Sequence, residues 1–248
     1  MPNNYFQFKQ FTIHQDKCAM KVCTDACLFG ALVANCNPDS YRESTANCLD
    51  IGTGTGLLSL ILAQKNNEAK IDAVEIDVLA AEQAKENVAA SPWADRIRIF
   101  NEDILDFDPG PQNSVSKQYD CIISNPPFFE DDLQSPDDSK NKAKHNTSLS
   151  LIQLLQVTDK HLSANGYFSV LLPYHRVEYF ITEATKAGFH LNKQILAKQT
   201  MKHKFFRGIL FFSRKEKEFE KSEIIIKDTN HNYTSDFIAL LKDYYLYL

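Results

Sequence analysis

A chain of 248 residues, 44% hydrophobic and 24% charged, is long enough for one or two domains at ~150 residues each and too apolar for wholesale disorder. No apolar run approaches the roughly 18–20 residues of a membrane-spanning helix, which excludes a transmembrane protein. The formal charge of −5 argues against a uniformly basic nucleic-acid coat, yet it is unevenly spread, net −7 over residues 1–124 and +2 over 125–248.

Residues 1–17, MPNNYFQFKQFTIHQDK, have no basic stretch leading into an apolar one. The expectation is a cytoplasmic protein without a secretion signal. Six cysteines follow, Cys18, Cys23, Cys27, Cys36, Cys48 and Cys121. They form no C-x-x-C pair, so no metal site is expected, and Cys23 and Cys27 suit one packed helix face. A helix is predicted over 24–36, with Thr24 or Asp25 at its start. Strand and helix then alternate: strand 47–51, helix 57–66, strand 70–75, helix 78–91 closed by Pro92, and strand 96–100. Strand 119–124, helix 149–162 stopped at Asn165-Gly166, strand 167–172 and helix 176–187 continue the pattern. Residues 191–198 and 206–214 read as an antiparallel pair, 223–227 as a further short strand and 237–244 as a closing helix. The alternation predicts an α/β fold with a mostly parallel sheet and helices on both faces. Residues 108–117 read as a surface loop. The long polar stretch 128–147, which carries Lys140, Lys142 and Lys144, reads as a functional loop.

Three strand ends carry the first functional signal. Asp50-Ile-Gly52-Thr53-Gly54-Thr-Gly56 follows a strand and opens a helix, where glycines let the backbone turn tightly and approach a ligand. The G-x-G-x-G spacing is not the dinucleotide fingerprint, which disfavours a nicotinamide oxidoreductase, and no G-K-[ST] of a P-loop follows. The next strand ends in Glu75-Ile76, where a carboxylate can accept from ribose hydroxyls. The third is followed by Asp103-Ile104, an acceptor for an adenine amino group and an apolar cover for the ring. The plain alternative is a strand–helix turn with Glu75 and Asp103 as helix caps. Their order at successive strand ends favours one adenosine held by three loops.

The fourth strand ends in Asn125-Pro126-Pro127-Phe128. The prolines stiffen an extended backbone. The Asn125 carboxamide and the Pro126 carbonyl can accept both hydrogens of a planar amino group, and Phe128 offers a π-face. The alternative is a strand-ending turn with core phenylalanines. On these residues the chain resembles the class I S-adenosylmethionine-dependent methyltransferases with an N-P-P-[FYW] tetrad. The resemblance extends over nearly the whole length through Phe11-Thr-Ile-His-Gln15, Met20-Lys-Val-Cys-Thr24-Asp25, Lys144-His-Asn-Thr-Ser-Leu149, Phe206-Arg-Gly-Ile-Leu210 and Tyr233-Thr-Ser-Asp-Phe237. These segments are similar to the bacterial tRNA1(Val) adenine-N6-methyltransferase family.

The resemblance implies a Rossmann-like methyltransferase fold with a seven-stranded sheet and an antiparallel edge strand. It implies a single domain over 1–248, with an N-terminal cofactor-capping segment 1–46 and a C-terminal extension 189–248. S-adenosylmethionine would be held by Lys21, Thr24, Asp25, Asp50, Gly52, Thr53, Gly54, Gly56, Glu75, Ile76, Asp103, Ile104 and Asn125, with Asn125, Pro126, Pro127 and Phe128 at the chemistry. The substrate would be tRNA, methylated at the adenine 3′ of the anticodon by a monomer that needs neither metal nor membrane. Within 198–217 stand seven basic residues and one acidic; there Lys202, Lys204 and Arg207, with Lys140, Lys142 and Lys144, would hold phosphates. The plain reading of that segment is a solvated hairpin with lysine edges. Other amino groups, the glutamine of a release factor or an adenine of DNA, are alternative substrates. A non-catalytic cofactor- or RNA-binding module is the alternative from another class.

Overall fold

The computed structural model describes residues 3–18, 20–36, 46–110, 117–127 and 149–248. A short antiparallel hairpin, β1 (Tyr5–Gln7) and β2 (Thr12–His14), precedes α1 (Thr24–Cys36). The main body follows as β3 (Asn47–Ile51), α2 (Leu57–Lys65), β4 (Lys70–Glu75), α3 (Val78–Ala89), β5 (Ile97–Asn101) and β6 (Tyr119–Ser124). Then come α4 (Leu151–His161), β7 (Leu162–Pro173), α5 (Val177–Lys186), β8 (His190–Lys198), β9 (Arg207–Ser213), β10 (Glu220–Ile225) and α6 (Ser235–Leu241).

The main sheet has the order β10-β8-β9-β7-β6-β3-β4-β5. Strands β5, β4, β3, β6 and β7 are mutually parallel, and β9 is antiparallel to both β7 and β8. The expected seven strands are thus joined by an eighth. β10 adds itself in parallel to β8, so the antiparallel strand, β9, lies two places inside the edge rather than on it.

Period-two alternation places one apolar layer on each face. Cys48, Ile71, Ile123, Ile209 and Phe211 join the layer under α1, α2 and α6. Leu49, Val74, Ile122, Leu210 and Phe212, at the alternate positions of the same strands, join the layer under α4 and α5. Helix α2 is buried from Leu57 to Ala63, which explains its lack of a polar face. Helix α4 starts with a capping box: Ser150 Oγ accepts from the Gln153 amide and Gln153 Oε1 accepts from the Ser150 amide.

Two boundaries depart from expectation. The Asn165-Gly166 stop lies inside β7, because the strand begins at Leu162 opposite Tyr119 and a register shift before Cys121–Tyr167 absorbs the extra residues. The N-terminal hairpin, absent from the sequence reading, is anchored by α3. The Asn87 carboxamide exchanges hydrogen bonds with the His14 backbone (2.8 and 2.9 Å) and donates to the Thr55 carbonyl (2.9 Å).

The strand order reverses at β3, whose neighbours are β4 and β6. A crevice opens there beyond the carboxyl ends of the strands, the usual ligand position of an open parallel sheet.

Candidate active site

The crevice is a cleft of about 510 Å³ walled by the ends of β3, β4, β5 and β6, the segment before α1 and the start of α4. Its floor is the glycine loop. The amides of Gly52 and Thr53 both donate to the Val74 carbonyl (2.9 and 3.1 Å), which pins the loop to β4. Gly52, Gly54 and Gly56 all have positive φ, at 71°, 57° and 83°. They are not equivalent. A Cβ on Gly52 or Gly54 would meet open space, whereas one on Gly56 would meet Ala84 and Val88 of α3 at 3.6–3.7 Å. Gly52 and Gly54 line the cleft, and Gly56 turns the chain into α2.

Asp50 lies beneath this loop and is fully buried. Its Oδ2 accepts from Thr53 Oγ1 (2.6 Å) and Ser59 Oγ (2.7 Å), while its Oδ1 has no hydrogen-bond partner among the described residues. Burial pushes its carboxyl up to about 6, against the pull of the two hydroxyls. Among the described residues Asp50 supports the loop from behind, while Thr53 reaches the cleft.

Glu75 closes the loop from the side. Its Oε2 accepts from the Gly54 amide (2.8 Å) and its Oε1 from the Asp77 amide (2.9 Å), leaving lone pairs on both oxygens for a diol. Asp103 Oδ1 accepts from the Leu105 amide (2.9 Å) at the end of β5. Ile76 and Ile104 both line the cleft, as expected for a flat ring between apolar walls. Asn101, which the sequence reading passed over, donates from Nδ2 to the Glu75 and Ile76 carbonyls (2.9 and 3.2 Å) and ties these two strand ends together.

The N-terminal segment divides. Lys21 lines the cleft with Val22 and Cys23. Thr24 and Asp25 instead line an adjoining hollow of about 440 Å³ with Phe206, Arg207 and Tyr245, and Asp25 Oδ2 accepts from Arg207 Nε at 2.7 Å. Burial, with Asp25 nearby, pushes the Cys23 thiol up to about 12, and burial does the same for Cys27, so both are packing groups. Gln15 Oε1 accepts from the Val22 amide (2.8 Å) and Gln83 Oε1 from the Lys17 amide (3.2 Å). Gln15 ties the segment to itself, and Gln83 holds it against α3. The only sequence signal for them was a pair of amides, Gln83 and Asn87, at i, i+4 on the alanine-rich face of α3.

Asn125 and Pro126 follow β6 directly and line the cleft with Pro127. Asn125 Oδ1 is buried with no hydrogen-bond partner among the described residues. Ser124, one residue earlier, donates from Oγ to the Ile51 carbonyl (2.9 Å), fixing the Asn125 corner beside the glycine loop. Leu149 and Gln153 of the α4 entry complete the wall. Phe128, Lys140, Lys142 and Lys144 lie outside the described residues.

The basic segment 198–217 is not one patch. Lys202 and Lys204 are exposed at the cleft edge of the sheet. Because β9 runs antiparallel, Arg214, Lys215 and Lys217 lie at the opposite edge, about 20 Å away. Arg214 pairs there with Asp159 at 2.6 Å.

Residues 31–172 match the family model described as Methyltransferase small domain. The chain belongs to that methyltransferase family. Relatives named tRNA1(Val) (adenine(37)-N6)-methyltransferase are 41% identical in Phocaeicola vulgatus and 42% identical in Dyadobacter fermentans, each alignment covering 99% of both chains. Among solved structures, a predicted O-methyltransferase, protein Atu636 from Agrobacterium tumefaciens, shares the fold with a TM-score of 0.65 at 16% identity, over 88% of this chain and 96% of that one. The cofactor of this methyltransferase is S-adenosylmethionine. The cleft fits it on two counts: the two cleft-lining glycines leave space where any side chain would intrude, and the Glu75 carboxylate is anchored with free lone pairs. Among the described residues no cluster of three or more His, Cys, Asp or Glu is arranged to hold a metal ion, and no helix is long and apolar enough to cross a membrane.

Proposed function

We propose that this methyltransferase methylates N6 of an adenine in tRNA, the adenine 3′ of the anticodon in tRNA1(Val). The observation that carries the reading is the buried, unpartnered Asn125 Oδ1 on the cleft wall next to the glycine loop. A buried acceptor without a donor costs stability, on the order of 1–3 kcal/mol, unless a ligand supplies the donor. An exocyclic amino group has two N–H bonds to give, one to Asn125 Oδ1 and one to the Pro126 carbonyl.

Bound S-adenosylmethionine supplies an electrophilic methyl group on a sulfonium. An adenine amino nitrogen is a weak nucleophile because its lone pair is delocalised into the ring. Two acceptors fixed by a proline-stiffened backbone favour the amino group as it pyramidalises and localise that lone pair. The proton becomes acidic only once the nitrogen is alkylated, so no dedicated base is required. Glu75 holds the ribose diol, Asp103 and Ile104 the adenine, and Lys21 the carboxylate of the cofactor. Thr24 and Asp25, which line the adjoining hollow, shape the segment that carries Lys21, with Arg207 holding Asp25 in place. Phe128 stacks on the target base, which leaves its loop to enter the cleft. Lys202 and Lys204, with Lys140, Lys142 and Lys144, carry phosphates of the tRNA. The chain works as a single-domain monomer in the cytoplasm, residues 1–46 and 189–248 being appendages of one methyltransferase unit.

The test is mass spectrometry of nucleosides from total tRNA incubated with the protein and S-adenosylmethionine. N6-methyladenosine is the expected product, and Asn125→Ala should abolish it while cofactor affinity persists. Label appearing in DNA or in a release factor instead of tRNA would refute the substrate; retained turnover in Asn125→Ala would refute the amino-group clamp.

A further inference from the structure

Strand β7 overruns β6 at the cleft edge. Ser124 pairs with Val170, so Leu171–Pro173 lie level with Asn125–Pro127 and Tyr174 comes next. Its amide donates to the Phe206 carbonyl (3.1 Å), which binds this corner to the entry of β9. The Tyr174 ring lies 5.3 Å from that of Phe205, at 42°. Beneath Phe205, Lys198 Nζ sits 4.1 Å from the ring centroid and is itself held by Glu223 at 2.9 Å. The aromatic pair is therefore braced from below. Tyr174 nevertheless remains 43% exposed, with the exposed Met201, Lys202 and Lys204 in the adjoining loop. A braced and open aromatic face rimmed by lysines, in a chain of net charge −5, matches the chemistry of a nucleobase attached to phosphates. The strand geometry puts Tyr174 about 10 Å from Asn125, within reach of a nucleotide next to the one in the cleft.

We propose that Tyr174, backed by Phe205, is a stacking platform for a tRNA base flanking the target adenine and so contributes to substrate specificity. The proposal rests on the RNA reading of the cleft. Base stacking on one aromatic side chain accounts for about 5- to 160-fold in affinity. In steady-state assays on an anticodon stem-loop, Tyr174→Ala should raise KM by that factor and leave kcat, cofactor affinity and Tm near wild type. Tyr174→Leu, which keeps apolar bulk without a π-face, should behave like Tyr174→Ala, and Tyr174→Phe should restore wild-type KM. A stem-loop with 2-aminopurine next to the target should be quenched on binding wild type and Tyr174→Phe but not Tyr174→Leu. Wild-type KM and quenching in Tyr174→Leu would overturn the platform while leaving the tRNA reading intact. Absence of methylation of any tRNA by the wild-type protein would overturn that reading and the platform with it.

Discussion

Replacing Gly54 and Gly56 by alanine, one at a time, separates ligand contact from backbone shape in the same loop. Both residues have positive φ, 57° and 83°, so alanine meets the same left-handed penalty at each, about 1–2 kcal/mol. For a chain of this length that lowers Tm by roughly 2–8 °C in either variant. The added methyl group differs in its surroundings. At Gly56 it would rest against Ala84 and Val88 at 3.6–3.7 Å, ordinary van der Waals contact away from the cleft. At Gly54 it would enter the open space that the cofactor is to occupy, beside the amide that binds Glu75. Forcing the ligand away from that floor should cost at least about 1.4 kcal/mol, or tenfold in Kd. Calorimetric titration with S-adenosylmethionine, paired with thermal melts, should show similar losses of Tm and a loss of affinity in Gly54→Ala alone. Equal weakening of cofactor binding in both variants, or undiminished binding in Gly54→Ala, would refute the assignment of these two glycines.

Other consequences concern charge. Asp72 is buried and accepts from Arg98 Nε (2.8 Å) and Nη2 (2.9 Å), Lys117 Nζ (2.8 Å) and Tyr119 OH (2.7 Å); because Arg98 and Lys117 reach solvent and only the Tyr119 hydroxyl would be left buried, Asp72→Ala should destabilise the fold by about 1–3 kcal/mol, and an unchanged denaturation midpoint would disprove a structural role for this cluster. Asp50, held up to about 6 by burial, keeps its proton in the folded chain at pH values where the unfolded chain has released it. Its contribution is fully present below about pH 4 and is lost as pH rises through 6, to the extent of ~3 kcal/mol. Urea denaturation from pH 4.5 to 7.5 should therefore show wild type losing stability relative to Asp50→Asn, and a constant difference across that range would contradict the buried acid. Charge reversal at Lys202 and Lys204 should weaken tRNA binding and flatten its salt dependence while sparing cofactor affinity; parallel loss of both affinities would argue for a folding defect instead.

Much of the fold was written in local pattern. Helix α1 starts and stops where the sequence predicts, and β3, β4 and β6 keep their expected bounds; β3 and β6 run directly into glycine and proline, which stop a strand sharply. The hairpin β1–β2 escaped notice because three-residue strands carry too little periodicity. Its anchor is not a sequence neighbour but Asn87 of α3. The further short strand expected at 223–227 forms as β10 at Glu220–Ile225, and its pairing with β8 makes the eighth strand. The basic stretch 198–217 looked continuous only because one-dimensional spacing hides the reversal of β9, which sends its two ends to opposite edges.

The same division holds at the site. Amino-acid order alone determined which loops carry the chemistry, since glycine, acid and N-P-P groups each sit at a strand end, and parallel strands bring their carboxyl ends to one edge. Only the tertiary structure decided what each residue does there. It set Asp50 beneath the loop, turned Gly56 toward α3 and joined Asp25 to Arg207 across 182 residues of chain. It also left Asn125 Oδ1 buried without a donor. Those outcomes depend on packing between distant segments, where burial and available partners, not local conformational preference, fix the state of a polar group.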